Sequence, residues 1–197
     1  MVDKPFPRGR VIFFVTRNLH KFNEARRLLI NYGIATVMLR IKTREIQDDD
    51  IENIAETRAL DAAGKTNLPV IVEDAGLFVE ALEGFPGPYS SYIYRTIGNE
   101  GILKLLDKTE NRNSQFRSIV AFCDPQNLEK RVRCFIGIVN GRIAEMVRGK
   151  SGFGFDPIFE PLKTPNKTFG DMTEDEKNKL SHRSQALRKF AEWYRSI

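Results

Sequence analysis

The stretch Pro69-Val-Ile-Val-Glu-Asp-Ala-Gly-Leu77 constrains this chain more than any other. Its β-branched run, Val70 to Val72, shows no polar alternation, which suits a short strand covered on both faces. In open α/β sheets ligands bind beyond the carboxyl ends of the strands, so Glu73 and Asp74 are predicted at a crevice. Two adjacent carboxylates repel, and a divalent cation between them relieves that cost. A solvated turn with an acidic tip is the plainer alternative, and this stretch alone leaves it open.

At 197 residues the chain supports one sizeable core, and a single domain over residues 1–197 is expected. No apolar run approaches the roughly 20 residues that cross a bilayer, and the N-terminus lacks the regions of a signal peptide. A cytoplasmic location without membrane contact is therefore expected. The net charge of +5 does not single out nucleic acid, because the basic residues are dispersed among acids; it equally suits attraction of a polyphosphate. Cys123 and Cys134 fall on neighbouring predicted strands and are placed to face each other, but they form neither a disulfide framework nor a zinc spacing.

Residues 1–9 read as an irregular lead-in. A strand over Arg10–Thr16 leads through Arg17, Asn18, Leu19, His20 and Lys21 into a helix with Phe22, Ala25, Leu28, Leu29 and Tyr32 at helical spacing, closed near Gly33. Basic side chains at a helix start oppose the macrodipole unless an anion binds there. Thr16, Asn18 and Lys21 have the donors for a phosphate; a plain Asn18 cap is the alternative. A strand over Thr36–Ile41 precedes a helix from about Asp50 to Gly64. Asp48, Asp49 and Asp50 read as capping acids, whereas Glu45, ahead of the cap, is within reach of the crevice. Leu77–Leu82 reads as strand or edge structure, followed by a turn-rich connection and a helix from about Asn99. Three β-rich stretches are predicted over Asn113–Cys123, Glu129–Val139 and Arg142–Val147, with Asn140-Gly141 as a hairpin turn. This region pairs antiparallel, so the whole sheet is expected to be mixed. Glycines around Phe153 permit close approach of a ligand, and an aromatic beside Asp156 suits stacking on a base. Helices over Thr173–Leu180 and Ser181–Tyr194 meet at Ser181-His182-Arg183.

Five segments in order, Thr16–Lys21, Val72–Leu77, Gly84–Tyr89, Gly152–Phe159 and Glu176–Arg183, closely resemble motifs of the inosine/xanthosine triphosphate pyrophosphatase family. The resemblance implies an α/β fold with a long mixed central sheet flanked by helices, two lobes around an active-site cleft, and a homodimer. It implies Mg²⁺-dependent hydrolysis of ITP, dITP and XTP to the monophosphate and pyrophosphate. Carried over residue by residue, Thr16, Arg17, Asn18, Leu19, His20 and Lys21 hold the triphosphate, and Glu45 and Asp74 ligate the metal. Asp74 is also the proton acceptor, and Glu73 supports the metal directly or through water. Phe153, Gly154, Phe155, Asp156, Lys177, His182 and Arg183 contact the nucleoside. Three positions depart from the pattern. Arg17 stands where a small residue is usual. Ala75 replaces a common Ser, leaving its backbone N–H for any contact, and Phe155 replaces Tyr or Trp. A related pyrophosphatase acting on pyrimidine or modified nucleotides, and a basic nucleic-acid-binding module, are the competing readings.

Overall fold

A computed structural model describes residues 10–126 and 132–197. The expected lead-in over 1–9 and the start of the strand expected from Glu129 lie outside the described residues. The strands are β1 (Arg10–Val15), β2 (Ile34–Leu39), β3 (Val70–Val79), β4 (Pro86–Gly87), β5 (Asn113–Cys123), β6 (Arg133–Ile143) and β7 (Phe159–Pro161). The helices are α1 (Leu19–Ile30), α2 (Ile51–Thr66), α3 (Ser90–Thr96), α4 (Gly98–Leu105), α5 (Glu174–Leu180) and α6 (His182–Ser196). The strands form one sheet in the order β2-β1-β3-β5-β6-β7, with β4 also paired to β3. The β1–β2 and β1–β3 pairs are parallel and the others antiparallel, so the sheet is mixed, as expected.

Helices α1 and α6 bury Ala25, Leu28, Leu29, Leu187 and Phe190 against Ile12, Phe14, Ile71 and Val120 on one sheet face. Helix α2 buries Ala55, Ala59 and Ala62 against Val70, Val72 and Ile119 on the other. A third cluster, with Leu77, Val79, Ile102, Phe116, Phe159 and Phe169, lies farther along the strands.

The organising stretch is longer than its sequence suggests. Strand β3 does not stop at the acids but runs ten residues, from Val70 to Val79, paired throughout with β5. Its other edge meets β1 only as far as Ile71 and meets β4 from Leu77. The edge between those ladders opens into the site.

Asn140-Gly141 is not a turn, since both residues lie within β6 opposite Gln115 and Ser114. There the glycine serves a close approach: a Cβ at Gly141 would lie 2.4 Å from the Glu160 carbonyl oxygen of β7. The two cysteines do not face each other, because Cys134 stands opposite Ala121. Helix α3, absent from the sequence reading, is anchored by Ser90, whose hydroxyl accepts from Leu77 N at 2.8 Å and donates to Gly87 O at 2.7 Å.

Candidate active site

Side chains alternate across a strand, and that period decides where the two acids go. Ile71 belongs to the α1/α6 cluster and Val72 to the α2 cluster, so Glu73 projects toward α1 and α6 and Asp74 toward α2. They do not converge on one cation, contrary to the expectation from adjacency.

Glu73 is held on its face by three side chains, although its Oε2 has an ion pair and no hydrogen bond among the described residues. Its Oε1 accepts from Ser118 Oγ at 2.6 Å and from Arg183 Nε at 3.1 Å, and Oε2 forms an ion pair with Lys21 Nζ at 2.8 Å. Burial pushes its carboxyl up, but Arg183 and Lys21 outweigh that and hold it well below the usual carboxylate range. Lys21 also donates to the Glu73 carbonyl at 3.3 Å, part of the backbone that no strand covers on that side.

Behind Glu73 the charges alternate. Arg183 Nη1 donates to Glu24 Oε2 at 2.6 Å, and Lys177 Nζ donates to Glu24 Oε1 at 2.9 Å and to Asp156 Oδ2 at 2.8 Å. Asp156 in turn accepts from Phe153 N at 2.7 Å, fixing the backbone of the glycine loop. Every one of these charges is buried, and a buried charge is tolerable only when paired in this way. Arg183 Nη2 has no partner among the described residues.

Asp74 sits differently. Its Oδ1 pairs with Arg58 of α2, while Oδ2, although buried, has no hydrogen-bond partner among the described residues. Burial raises its affinity for a proton, with Arg58 pulling the other way. Glu45, in the exposed segment between β2 and α2, lines the same cleft. Two carboxylates, one with an unsatisfied buried oxygen, are the hard oxygen donors that Mg²⁺ takes, so the residues present fit that ion.

The cleft, about 1140 Å³ in volume, joins both faces. At one end Asn18 caps α1, accepting from Lys21 N at 3.1 Å, and Thr16 Oγ1 accepts from Asn18 N at 3.1 Å. The first turn of α1 carries no acid, which leaves the helix's positive end open to an anion. At the other end Phe153, Gly154, Phe155 and Asp156 face His182 and Arg183. His182 stacks on Phe116 at 4.5 Å between centroids. Its burial, with Arg183 adjacent, pushes its pKa well down, so the ring is neutral at pH 7, and its buried Nδ1 lacks a partner among the described residues.

Of the residues singled out from the sequence, Thr16, Arg17, Asn18, His20, Lys21, Glu45, Asp74, Ala75, Phe153, Gly154, Phe155, Asp156, His182 and Arg183 all line this cleft. Leu19 does not: it is 52% exposed on the outer side of α1's first turn. Lys177 also does not, being consumed by Glu24 and Asp156 behind the loop. Phe155 contributes less than its position suggests, because its ring is buried in the third apolar cluster.

Sequence reasoning missed Arg58, Glu24, Ser118 and the α3 wall. Two of these left a signal. Arg58 falls on the stripe formed by Ala55, Ala59 and Ala62, and Glu24 falls on that of Ala25 and Leu28. A charge on an apolar helix face calls for a buried partner.

The model of the Ham1 family matches residues 12–193. A dITP/XTP pyrophosphatase of Methanopyrus kandleri is 49% identical over 185 residues, 94% of this chain and 96% of that protein. One of Thermococcus kodakarensis is 47% identical over 180 residues, 91% and 95% of the two chains. The solved structure of a HAM1 protein from Coxiella burnetii superposes with a TM-score of 0.83 at 28% identity, covering 95% of this chain and 100% of that one.

Proposed function

The chain belongs to the Ham1 family, and we propose on that premise that it is a nucleoside triphosphate pyrophosphatase acting on deaminated purine nucleotides. In this reading dITP, ITP and XTP are cleaved to the monophosphate and pyrophosphate, within a single domain spanning residues 1–197. The observation that carries it is the free Asp74 Oδ2, set in a cleft between a helix start suited to phosphates and an aromatic loop suited to a base. The dITP/XTP pyrophosphatases at 49% and 47% identity point to the same substrates.

The chain's own groups divide the work. Thr16, Asn18 and Lys21, with the open amides of α1, bind the triphosphate, and Arg17 at the rim adds charge there. Arg58 holds Asp74 by Oδ1 and leaves Oδ2 without a partner among the described residues. Asp74 orients a water toward the α-phosphorus and takes its proton at Oδ2; the oxygen–phosphorus bond to pyrophosphate breaks as the new one forms. Glu45 and Asp74 would hold Mg²⁺, which supplies charge neutralisation of the phosphate oxygens. Glu73 does not join them, since its oxygens are committed to Lys21, Ser118 and Arg183. At the base end Arg183 Nη2 and His182 are available for a 6-keto oxygen. A 6-amino purine would present donor to donor there, a mismatch that can discriminate by about 10⁴-fold.

The test is a panel of triphosphates with product identification. Pyrophosphate should appear from dITP, ITP and XTP in the presence of Mg²⁺, far faster than from ATP, and Asp74→Asn should remove at least about 10³-fold of the rate. Orthophosphate as the first product would overturn the assigned bond cleavage. A preference for pyrimidine triphosphates would favour the related pyrophosphatase reading. A homodimer is part of the proposal and predicts a solution mass near twice 22.6 kDa. So is a cytoplasmic location; no described helix is long and apolar enough to cross a membrane.

A further inference from the structure

His20 is placed at the N-terminal turn of α1, among the residues assigned to phosphate, yet its ring points elsewhere. It stacks on Phe153 with centroids 5.2 Å apart and planes inclined by 23°. This contact bridges the two ends of the cleft. The two rings differ in how they are held. Phe153 is half-buried, its amide is pinned by Asp156, and the cations of Lys177 and Arg183 lie 4.8 and 5.2 Å from its centroid. His20 is exposed and has no hydrogen-bond partner among the described residues.

We propose that His20 and Phe153 are the two jaws of a base clamp, with Phe153 fixed and His20 movable, so that His20 contacts the nucleobase and not the triphosphate. A planar base needs about 3.5 Å on each side, so the ring separation must widen to about 7 Å. An exposed side chain makes such a rotation within nanoseconds. The stacked pair keeps the apolar faces of both rings out of water until a base replaces that contact. Stacking tolerates any base, so the clamp supplies affinity while His182 and Arg183 supply selection. This inference rests on the pyrophosphatase reading and deepens it.

The experiment compares wild type, His20→Ala and His20→Phe for KM and kcat with ITP, and for the inhibition constant of inorganic tripolyphosphate, which has phosphates and no base. His20→Ala should raise KM about tenfold, more than it changes kcat, and His20→Phe should restore KM to within about twofold. The tripolyphosphate constant should stay within twofold across all three. Parallel weakening of ITP and tripolyphosphate in His20→Ala would make His20 a phosphate ligand and overturn the clamp. An unchanged KM would overturn it as well. Equilibrium titration with IMP and with tripolyphosphate separates the two readings: a wild type that binds neither removes the pyrophosphatase assignment, whereas a wild type that binds IMP no more tightly than His20→Ala does removes only the clamp.

Discussion

Replacing Glu73 by Gln should cost the fold more than it costs the chemistry. The substitution strips a fully buried carboxylate from Arg183 and Lys21, leaving buried Arg183 with Glu24 alone, and breaking a buried pair typically costs about 3–5 kcal/mol. Chemical denaturation should show that loss for Glu73→Gln and a smaller one for Asp74→Asn, whose side chain is 19% exposed. Turnover should rank the two in the opposite order. His182 adds a pH dependence. Its ring is neutral in the fold, with a pKa pushed well below the ordinary 6.5. Above pH 6.5 neither folded nor unfolded protein binds that proton, and the contribution is complete. As pH falls below 6.5 the unfolded chain takes up a proton the fold refuses, so stability declines by up to about 1.4 kcal/mol per pH unit until the folded value is reached. In denaturation series between pH 7 and 5, His182→Phe should flatten that slope.

Among the elements, α6 depends on one glycine of β6. A Cβ at Gly137 would lie 2.0 Å from the His182 carbonyl oxygen and 2.7 Å from Ala186 N. Gly137→Ala must therefore lift the start of α6, and with it His182 and Arg183, off the sheet. A loss of about 1–3 kcal/mol is expected from the overpacking, read as a lowered Tm, together with a raised KM for ITP. Elements with a clean period were legible in the sequence: β1, α1, α2 and α6 follow their apolar spacing, and Asp50 caps α2 as its position suggested, accepting from Glu52 N at 2.8 Å. Misreadings arose where a local signal had a tertiary cause. Asn140-Gly141 has the composition of a hairpin turn, but its glycine makes room for β7. Helix α3 is short and carries Tyr92 and Tyr94 in exposed positions, so no apolar stripe announced it. For the site, the types of residue were legible and their partners were not, because Arg58–Asp74 and Glu24–Arg183 join segments far apart in the chain.

At the scale of the molecule, an excess of positive charge faces a polyanionic substrate. The net charge is +5, and Arg17, Lys21, Arg58 and Arg95 border the cleft. If encounter is steered by that field, kcat/KM for ITP should fall as salt rises past about 0.1 M, where screening reaches about 10 Å. A nucleic-acid module would instead lose RNA or DNA affinity steeply with salt and be indifferent to Asp74→Asn. The long central strand carries a stricter condition than any single side chain on it. Because Glu73 is held by α1 and α6 while Asp74 is held by α2, the number of residues between Val70 and Glu73 acts as a parity code. Deleting or inserting one codon there would exchange the two acids between faces, whereas two codons would restore the assignment in a strand two residues shorter or longer. A library of insertions and deletions across β3 should therefore show function surviving, where it survives at all, only at even lengths.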